Sequence, residues 1–251
     1  MANTRIALIT GANQGVGFEA AKQLVAKGVT VFIGSRGRER GEAASREIGP
    51  GSIPLQLDVT DKDSIAAAAE AVRGAFGRLD LLINNAAISN TNLTSMSLDE
   101  YRKVSRASVV SLDEVRAVWE TNVFGVLAVY QAMLPLLRRS SDARIINVSS
   151  AVGSLALNAD PNQPYHPSYS AVYPASKTAL NAITLAMMVE LEGSEVKVNL
   201  VSPGFTKTNL NGFQGTQSLE EGSREVVRVA LFGPNDPSGT FTRWENKTIP
   251  W

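Results

Sequence analysis

The chain has no cysteine and a single histidine, His166. The lack of cysteine excludes disulfides, thiolate nucleophiles and cysteine-based metal sites, and one histidine cannot build a zinc site without several carboxylates, so no metal is expected. Net charge is also lacking, because 24 Lys plus Arg balance 24 Asp plus Glu. With no overall field to draw the protein to nucleic acid or an anionic membrane, neither is expected as a partner, and the ligand should be a small molecule. The first apolar run, Ile6 to Ile9, is too short for a secretory h-region or a membrane span, which makes a soluble, cytoplasmic protein the expectation. No linker, repeat or low-complexity tract divides the 251 residues, so residues 1–251 read as one domain.

What is present is alternation. Arg5 to Thr10 reads as a short buried strand; Phe18, Ala21, Leu24 and Val25 then recur at helical spacing until Gly28, and Val29 to Gly34 is a second apolar strand. The pattern repeats with a polar helix from Glu39 to Ile48, strands at Ile53 to Leu57 and Leu79 to Ile83, and a helix from Asp61 to Phe76 between them. Asn90 to Ser111 reads as a mobile connection with a short helix, and Leu112 to Leu137 as one long helix. Strands follow at Arg144 to Val148 and Val196 to Val201, around a helix from Tyr173 to Leu191, with a last edge strand at Gly239 to Thr242. The Pro-, Asn- and Ser-bearing stretch Leu155 to Ser168 suits a surface loop. The expected fold is α/β: a single doubly wound, Rossmann-type parallel sheet of about seven strands with helices on both faces.

Thr10 to Gly17 reads TGANQGVG between the first strand and the first helix. Gly11 permits a tight turn, Gly15 lets a pyrophosphate approach the backbone, and Gly17 lets the helix pack closely, while the helix N-terminus offers free N–H groups to the anion. The second strand ends in Gly34, Ser35 and Arg36, with no acid to hold a ribose 2′-hydroxyl. An arginine there suits a 2′-phosphate, so NADPH is expected over NADH, with Arg38 and Arg40 as assistants or substitutes. Asp58 and Val59 end the third strand, where an adenine would rest, though Asp58 is equally placed to cap the next helix. Asn84, Asn85, Ala86 and Ala87 end the fourth, where the backbone would run close to a ribose.

Tyr173 and Lys177 stand one helical turn apart. A phenol with an ordinary pKa near 10 is too weak an acid for neutral pH, and a nearby ammonium lowers it, giving a proton donor for carbonyl chemistry. Asn122 interrupts the apolar helical stretch Val118, Trp119, Val123 and Val126, where an amide needs a partner.

In order, TGANQGVG at Thr10, NNAA at Asn84, Asn122, the pair Ser149 and Ser150, YPASK at Tyr173, and Pro203–Gly204 resemble the short-chain dehydrogenase/reductase family over nearly the whole chain. ETNVFGV, INVSSAVGSL and GTFTRWENKTIPW resemble its carbonyl-reductase-like branch. The resemblance implies four catalytic positions: Tyr173 as proton donor, Ser150 holding the same carbonyl oxygen with Ser149 as its rival, Lys177 tuning the tyrosine and holding the nicotinamide ribose, and Asn122 holding a water that links Lys177 to solvent. The implied cofactor set is Gly11, Asn13, Gln14, Gly15, Val16, Gly17, Ser35, Arg36, Asp58, Val59, Asn85, Ala86, Tyr173, Lys177, Pro203, Gly204, Thr206 and Thr208. Residues near 205–222 would form a substrate-binding lid. Two departures stand out: Ala87 occupies a position that is usually glycine, and the interval from Ser150 to Tyr173 is long, so that Tyr165, His166 and Tyr169 are candidates to line the pocket.

The expected activity is NADPH-dependent reduction of a ketone or aldehyde, by a monomer or a homo-oligomer. The alternatives are a silent NADP(H)-sensing module, or a lyase or epimerase on the same scaffold.

Overall fold

The computed structural model describes residues 4–91 and 98–251. Mainly apolar segments form the central strands β1 (Ile6–Ile9), β2 (Thr30–Ser35), β4 (Leu81–Asn84), β5 (Ala143–Val148) and β6 (Val196–Ser202), as strands covered on both faces favour. With β3 (Ser52–Gln56), β7 (Phe241–Arg243) and β8 (Lys247–Thr248) they make one sheet, in the order β3-β2-β1-β4-β5-β6-β7-β8. Every pairing is parallel except β7 with β8. Pro54, which lacks a backbone donor, lies on the edge strand β3, where the loss is tolerated.

Side-chain alternation sorts the core into two layers. Ile6 and Leu8 of β1 point to one face, where they join Ile65 of α3 (Lys62–Phe76), Val129 of α6 (Gly125–Leu137) and Leu180 of α8 (Tyr173–Glu190). Ala7 and Ile9 point to the other, against Ala20 and Leu24 of α1 (Gly15–Ala26), Ala44 of α2 (Arg38–Ile48) and Val226 of α9 (Leu219–Ala230). The sheet order reverses between β1 and β4, and the carboxyl ends of these two strands open the crevice where doubly wound folds bind ligands.

The sequence reading differs from the structure in three places, and the short helix expected between Asn90 and Ser111 is present. The expected single helix Leu112 to Leu137 is α5 (Leu112–Trp119), a π turn at Glu120–Phe124 that contains Asn122, and α6. Half of the most apolar window of this run is buried inside the protein, so its apolarity serves the core. The Leu155 to Ser168 loop is partly helical, with α7 (Leu155–Ala159) capped by Ser154 and a 3₁₀ turn at His166–Ser168. Within the Asn90 to Ser111 connection, α4 spans Leu98–Val104, and residues 92–97 lie outside the described residues. The last expected strand is the seventh and not the edge; β8 pairs beyond it through a turn in which Glu245 and Asn246 take positive φ.

Residues 250 and 251 return to the start of α7. The Ser154 hydroxyl donates to the Pro250 carbonyl at 2.5 Å and the Ala156 N–H to that of Trp251 at 3.0 Å, while the Trp251 ring meets Phe241 edge-on at 6.1 Å.

Candidate active site

The glycine turn is fastened to the end of β4. The Thr10 hydroxyl accepts the N–H groups of Asn85 and Ala86, both at 3.0 Å, and the Asn85 amide donates to the carbonyls of Thr10 and Gly11 at 2.9 and 3.2 Å. Asn85 is therefore a strut for the turn. Gly11 and Gly15 take positive φ, and a Cβ on Gly17 would sit 2.4 Å from the Asn85 amide nitrogen, so close approach requires glycine there. Ala87 has no positive φ, which is why a residue with a side chain fits that position.

Whereas α3, α5 and α9 are capped by Asp61, Ser111 and Ser218, the N-cap of α1, Gln14, makes no side-chain cap, and the first turn of α1 holds no acid. Open N–H groups at a glycine turn fit a pyrophosphate. Asp61 takes the capping role considered for Asp58, whose carboxylate instead accepts from the Thr60 N–H and hydroxyl at 3.0 and 2.7 Å. Val59 lies buried beside it.

Past β2, Ser35 is buried and donates to the Gly37 carbonyl at 2.9 Å. Arg38 is paired with Glu42 at 2.9 Å, and the Arg40 guanidinium lies over Gly37. Arg36 is exposed and makes no ion pair with the described residues, which leaves its guanidinium open to a phosphate.

Tyr173 begins α8, with Pro174 in the first turn, where a missing N–H costs nothing. The Ser150 hydroxyl stands near the Tyr173 phenol, where it favours the ionised form. Ser149, the rival, is buried and donates instead to the Asn181 carbonyl oxygen at 2.6 Å. Lys177 is buried; its ammonium nitrogen donates to the Val148 carbonyl at 2.8 Å and stands 5.6 Å from the centre of the Tyr173 ring.

The surroundings of the site bear on two expected roles. Burial pushes the Tyr173 phenol up to about 12, and Ser150 only partly opposes the rise. Burial also pushes Lys177 down to about 7, so near neutral pH much of it carries no charge with which to depress the tyrosine. Asn122 is a strut as well: its oxygen accepts from the Ile88 N–H at 2.9 Å, and its nitrogen donates to the Ile88 carbonyl at 2.8 Å and to Ser176 at 3.0 Å. Both amide donors are engaged by protein, so the side chain pins the post-β4 segment to α8.

Pro203 and Gly204 follow β6, and a Cβ on Gly15 would lie 3.6 Å from the Thr208 methyl, which brings the lid to the glycine turn. Asn13 and Val16 lie in that turn and at the head of α1, and the Gln14 oxygen accepts from the Asn209 amide at 3.2 Å. Thr206 is buried and bridges Gln217. The expected 205–222 lid is shorter, since α9 starts at Leu219. Ser89, absent from the sequence reading, donates to the lid carbonyl of Leu210 at 2.5 Å and accepts from the Tyr101 hydroxyl at 3.1 Å. Tyr101 borders a cavity of about 550 Å³ with Val104, Val109, Glu114 and Val172, and Val172 directly precedes Tyr173. The other pocket candidates are engaged elsewhere: the His166 ring meets the Asn158 carbonyl at 2.7 Å, the Tyr169 hydroxyl meets Thr178 at 2.9 Å, and Tyr165 packs against the buried cluster of Ala151, Leu200, Phe241 and Ile249.

A crevice at the sheet switch point, with an uncapped helix on one side and a Ser–Tyr–Lys cluster on the other, is built for a dinucleotide and for proton transfer next to it. The family model described as short chain dehydrogenase matches residues 5–218. The chain is 37% identical to the short-chain dehydrogenase anuI of Penicillium roqueforti, across 97% of this chain and 96% of that one. Among solved structures it is similar to salutaridine reductase from Papaver somniferum, with 28% identity, a TM-score of 0.79, and 94% and 99% of the two chains covered. It is also similar to NADPH-bound carbonyl reductase from chicken fatty liver, with 27% identity, a TM-score of 0.79, and 99% and 100% covered. The chain belongs to the short-chain dehydrogenase/reductase family. It is an oxidoreductase of carbonyl and CH–OH groups that works with a nicotinamide cofactor.

Proposed function

We propose that this protein is an NADPH-dependent reductase of ketones or aldehydes, with Tyr173, Ser150 and Lys177 as its catalytic residues. The observation that carries the reading is the cluster of Ser150 and Tyr173 beside buried Lys177, at the crevice flanked by the uncapped N-terminus of α1. NADPH, when bound, supplies hydride to the carbonyl carbon. Tyr173 gives its proton to the carbonyl oxygen as negative charge develops there, and Ser150 donates a second hydrogen bond that orients that oxygen. Once protonated, Lys177, whose nitrogen lies 5.6 Å from the centre of the Tyr173 ring, favours the phenolate and so opposes the burial of the phenol. Asn122 holds the Ile88 segment against α8, which fixes one wall of the site.

Selectivity for the 2′-phosphate rests on Arg36, which is exposed and unpaired beside buried Ser35. The names of its relatives, among them carbonyl reductase and neomenthol dehydrogenase, support a ketone or its alcohol as the substrate class. Because reduction consumes a proton, lower pH favours it and higher pH favours alcohol oxidation.

The test is a panel of ketones and aldehydes with NADPH and NADH side by side, following cofactor absorbance. Stoichiometric loss of NADPH with at least one carbonyl is expected. Tight NADPH binding with no oxidation on any substrate would point to a sensing module, and product formed without net NADPH consumption to a lyase or epimerase.

A further inference from the structure

We propose that Asn181 is a positioning residue that holds Ser150 against Tyr173, an inference that rests on the reductase reading above. Asn181 lies on α8 one helical turn past Lys177 and two past Tyr173, so the three share a face. It is 4% exposed, and its amide grips both ends of the segment that carries Ser150. Its oxygen accepts from the Ser149 hydroxyl at 2.6 Å and its nitrogen donates to the Gly153 carbonyl at 3.1 Å.

Other contacts hold the same segment still. The Thr178 hydroxyl donates to the Gly153 carbonyl at 2.9 Å, and the Ala151 N–H donates to Ser202 at the end of β6 at 3.1 Å. A Cβ on Gly153 would meet the Lys177 Cβ at 2.7 Å, so the turn is pressed directly on the helix. Ser150 is thus suspended between Ser149 and Gly153, and one amide ties both to the helix that carries its partner. No other side chain bonds both ends of this turn among the described residues. Among the described residues the Asn181 amide bonds to Ser149 and Gly153 rather than to Tyr173 or the Ser150 hydroxyl, so it acts through the backbone between them. An amide suits the task because one end must accept from a hydroxyl and the other donate to a carbonyl.

The experiment compares the parent with Asn181→Leu and Asn181→Asp. In Asn181→Leu, kcat for carbonyl reduction should fall on the order of ten- to a hundredfold, the range a displacement of about 1 Å produces, while the Kd for NADPH by fluorescence stays within about threefold. A crystal structure of this variant should show the Ser150 and Tyr173 oxygens farther apart by about 1 Å. Unmoved oxygens would overturn the proposal, as would kcat and NADPH affinity falling together in proportion to the folded fraction.

Asn181→Asp keeps the proposal testable if the leucine variant does not fold. A protonated carboxyl can still accept from Ser149 and donate to Gly153, whereas a carboxylate faces the Gly153 carbonyl with no proton to share. Its kcat should therefore fall with rising pH through the carboxyl ionisation, a limb the parent lacks; a profile parallel to the parent would overturn the proposal. If the parent itself turns over no carbonyl, the reductase reading fails while the crystallographic comparison still decides whether Asn181 positions Ser150.

Discussion

Replacing Lys177 with methionine should change how stability depends on pH. Lys177 titrates near 10.5 when exposed and near 7 in the folded protein, where burial disfavours its charge. Between these values the unfolded chain binds more protons than the folded one, so this group makes stability rise with pH. Below about 7 the lysine is charged in both states and the full cost of burying that charge is present; above 10.5 it is gone. Linkage with these two values gives a gain of about 2 kcal/mol between pH 7.5 and pH 9.0. Lys177→Met removes the titration, so its stability should lack this gain. Tyr173 acts with the opposite sign, because its raised pKa makes stability fall with rising pH, but only between about 10 and 12, above the window. A chain with no cysteine and one histidine has few other groups that titrate here, and subtracting the variant from the parent removes those. Urea unfolding at pH 7.5, 8.25 and 9.0 measures the difference. Parallel curves for parent and variant would refute the claim that burial holds Lys177 near neutrality; a constant offset would not, since the variant also leaves the Val148 carbonyl without its donor.

Three further outcomes are expected. Tyr173→Phe should lower kcat by about 10²- to 10⁴-fold with NADPH binding largely intact, and near-normal turnover would remove Tyr173 from the mechanism. Arg36→Asp should weaken NADPH by roughly 1.5 to 3 kcal/mol, ten- to a hundredfold or somewhat more, with little effect on NADH; equal Michaelis constants for both cofactors before and after would refute the 2′-phosphate contact. Gly17→Ala places a Cβ 2.4 Å from the Asn85 amide and 3.0 Å from the Gly11 carbonyl, and should cost about 1 to 3 kcal/mol in denaturant unfolding together with weaker cofactor binding.

The elements that form the crevice were legible because their physics is local. Strands β1, β4, β5 and β6 are buried on both faces and are mainly apolar, and TGANQGVG needs its glycines where φ is positive or a neighbour crowds in. The π turn at Asn122 was not legible, since a single extra residue in a helical turn leaves the apolar spacing around it nearly unchanged. Nor was β8, two exposed residues whose pairing depends on the left-handed Glu245 and Asn246. The tyrosine–lysine pair was found by spacing, yet the spacing does not report how deeply both groups are buried, and burial sets the direction of their pKa shifts. Asn181 carried one readable sign, a polar residue on the helix face shared with Tyr173 and Lys177. Its partners Ser149 and Gly153 belong to a distant stretch of chain that only the folded sheet brings near.

The grip of Pro250 and Trp251 on Ser154 and Ala156 bears on how the protein is made. Ser154 and Ala156 follow closely on Ser150, so the turn that presents this hydroxyl gains its outer support only after residues 250 and 251 have been added. The dinucleotide cradle closes no sooner, since α9 packs over α1 and Thr208 stands against Gly15, so cradle and brace form together as one unit.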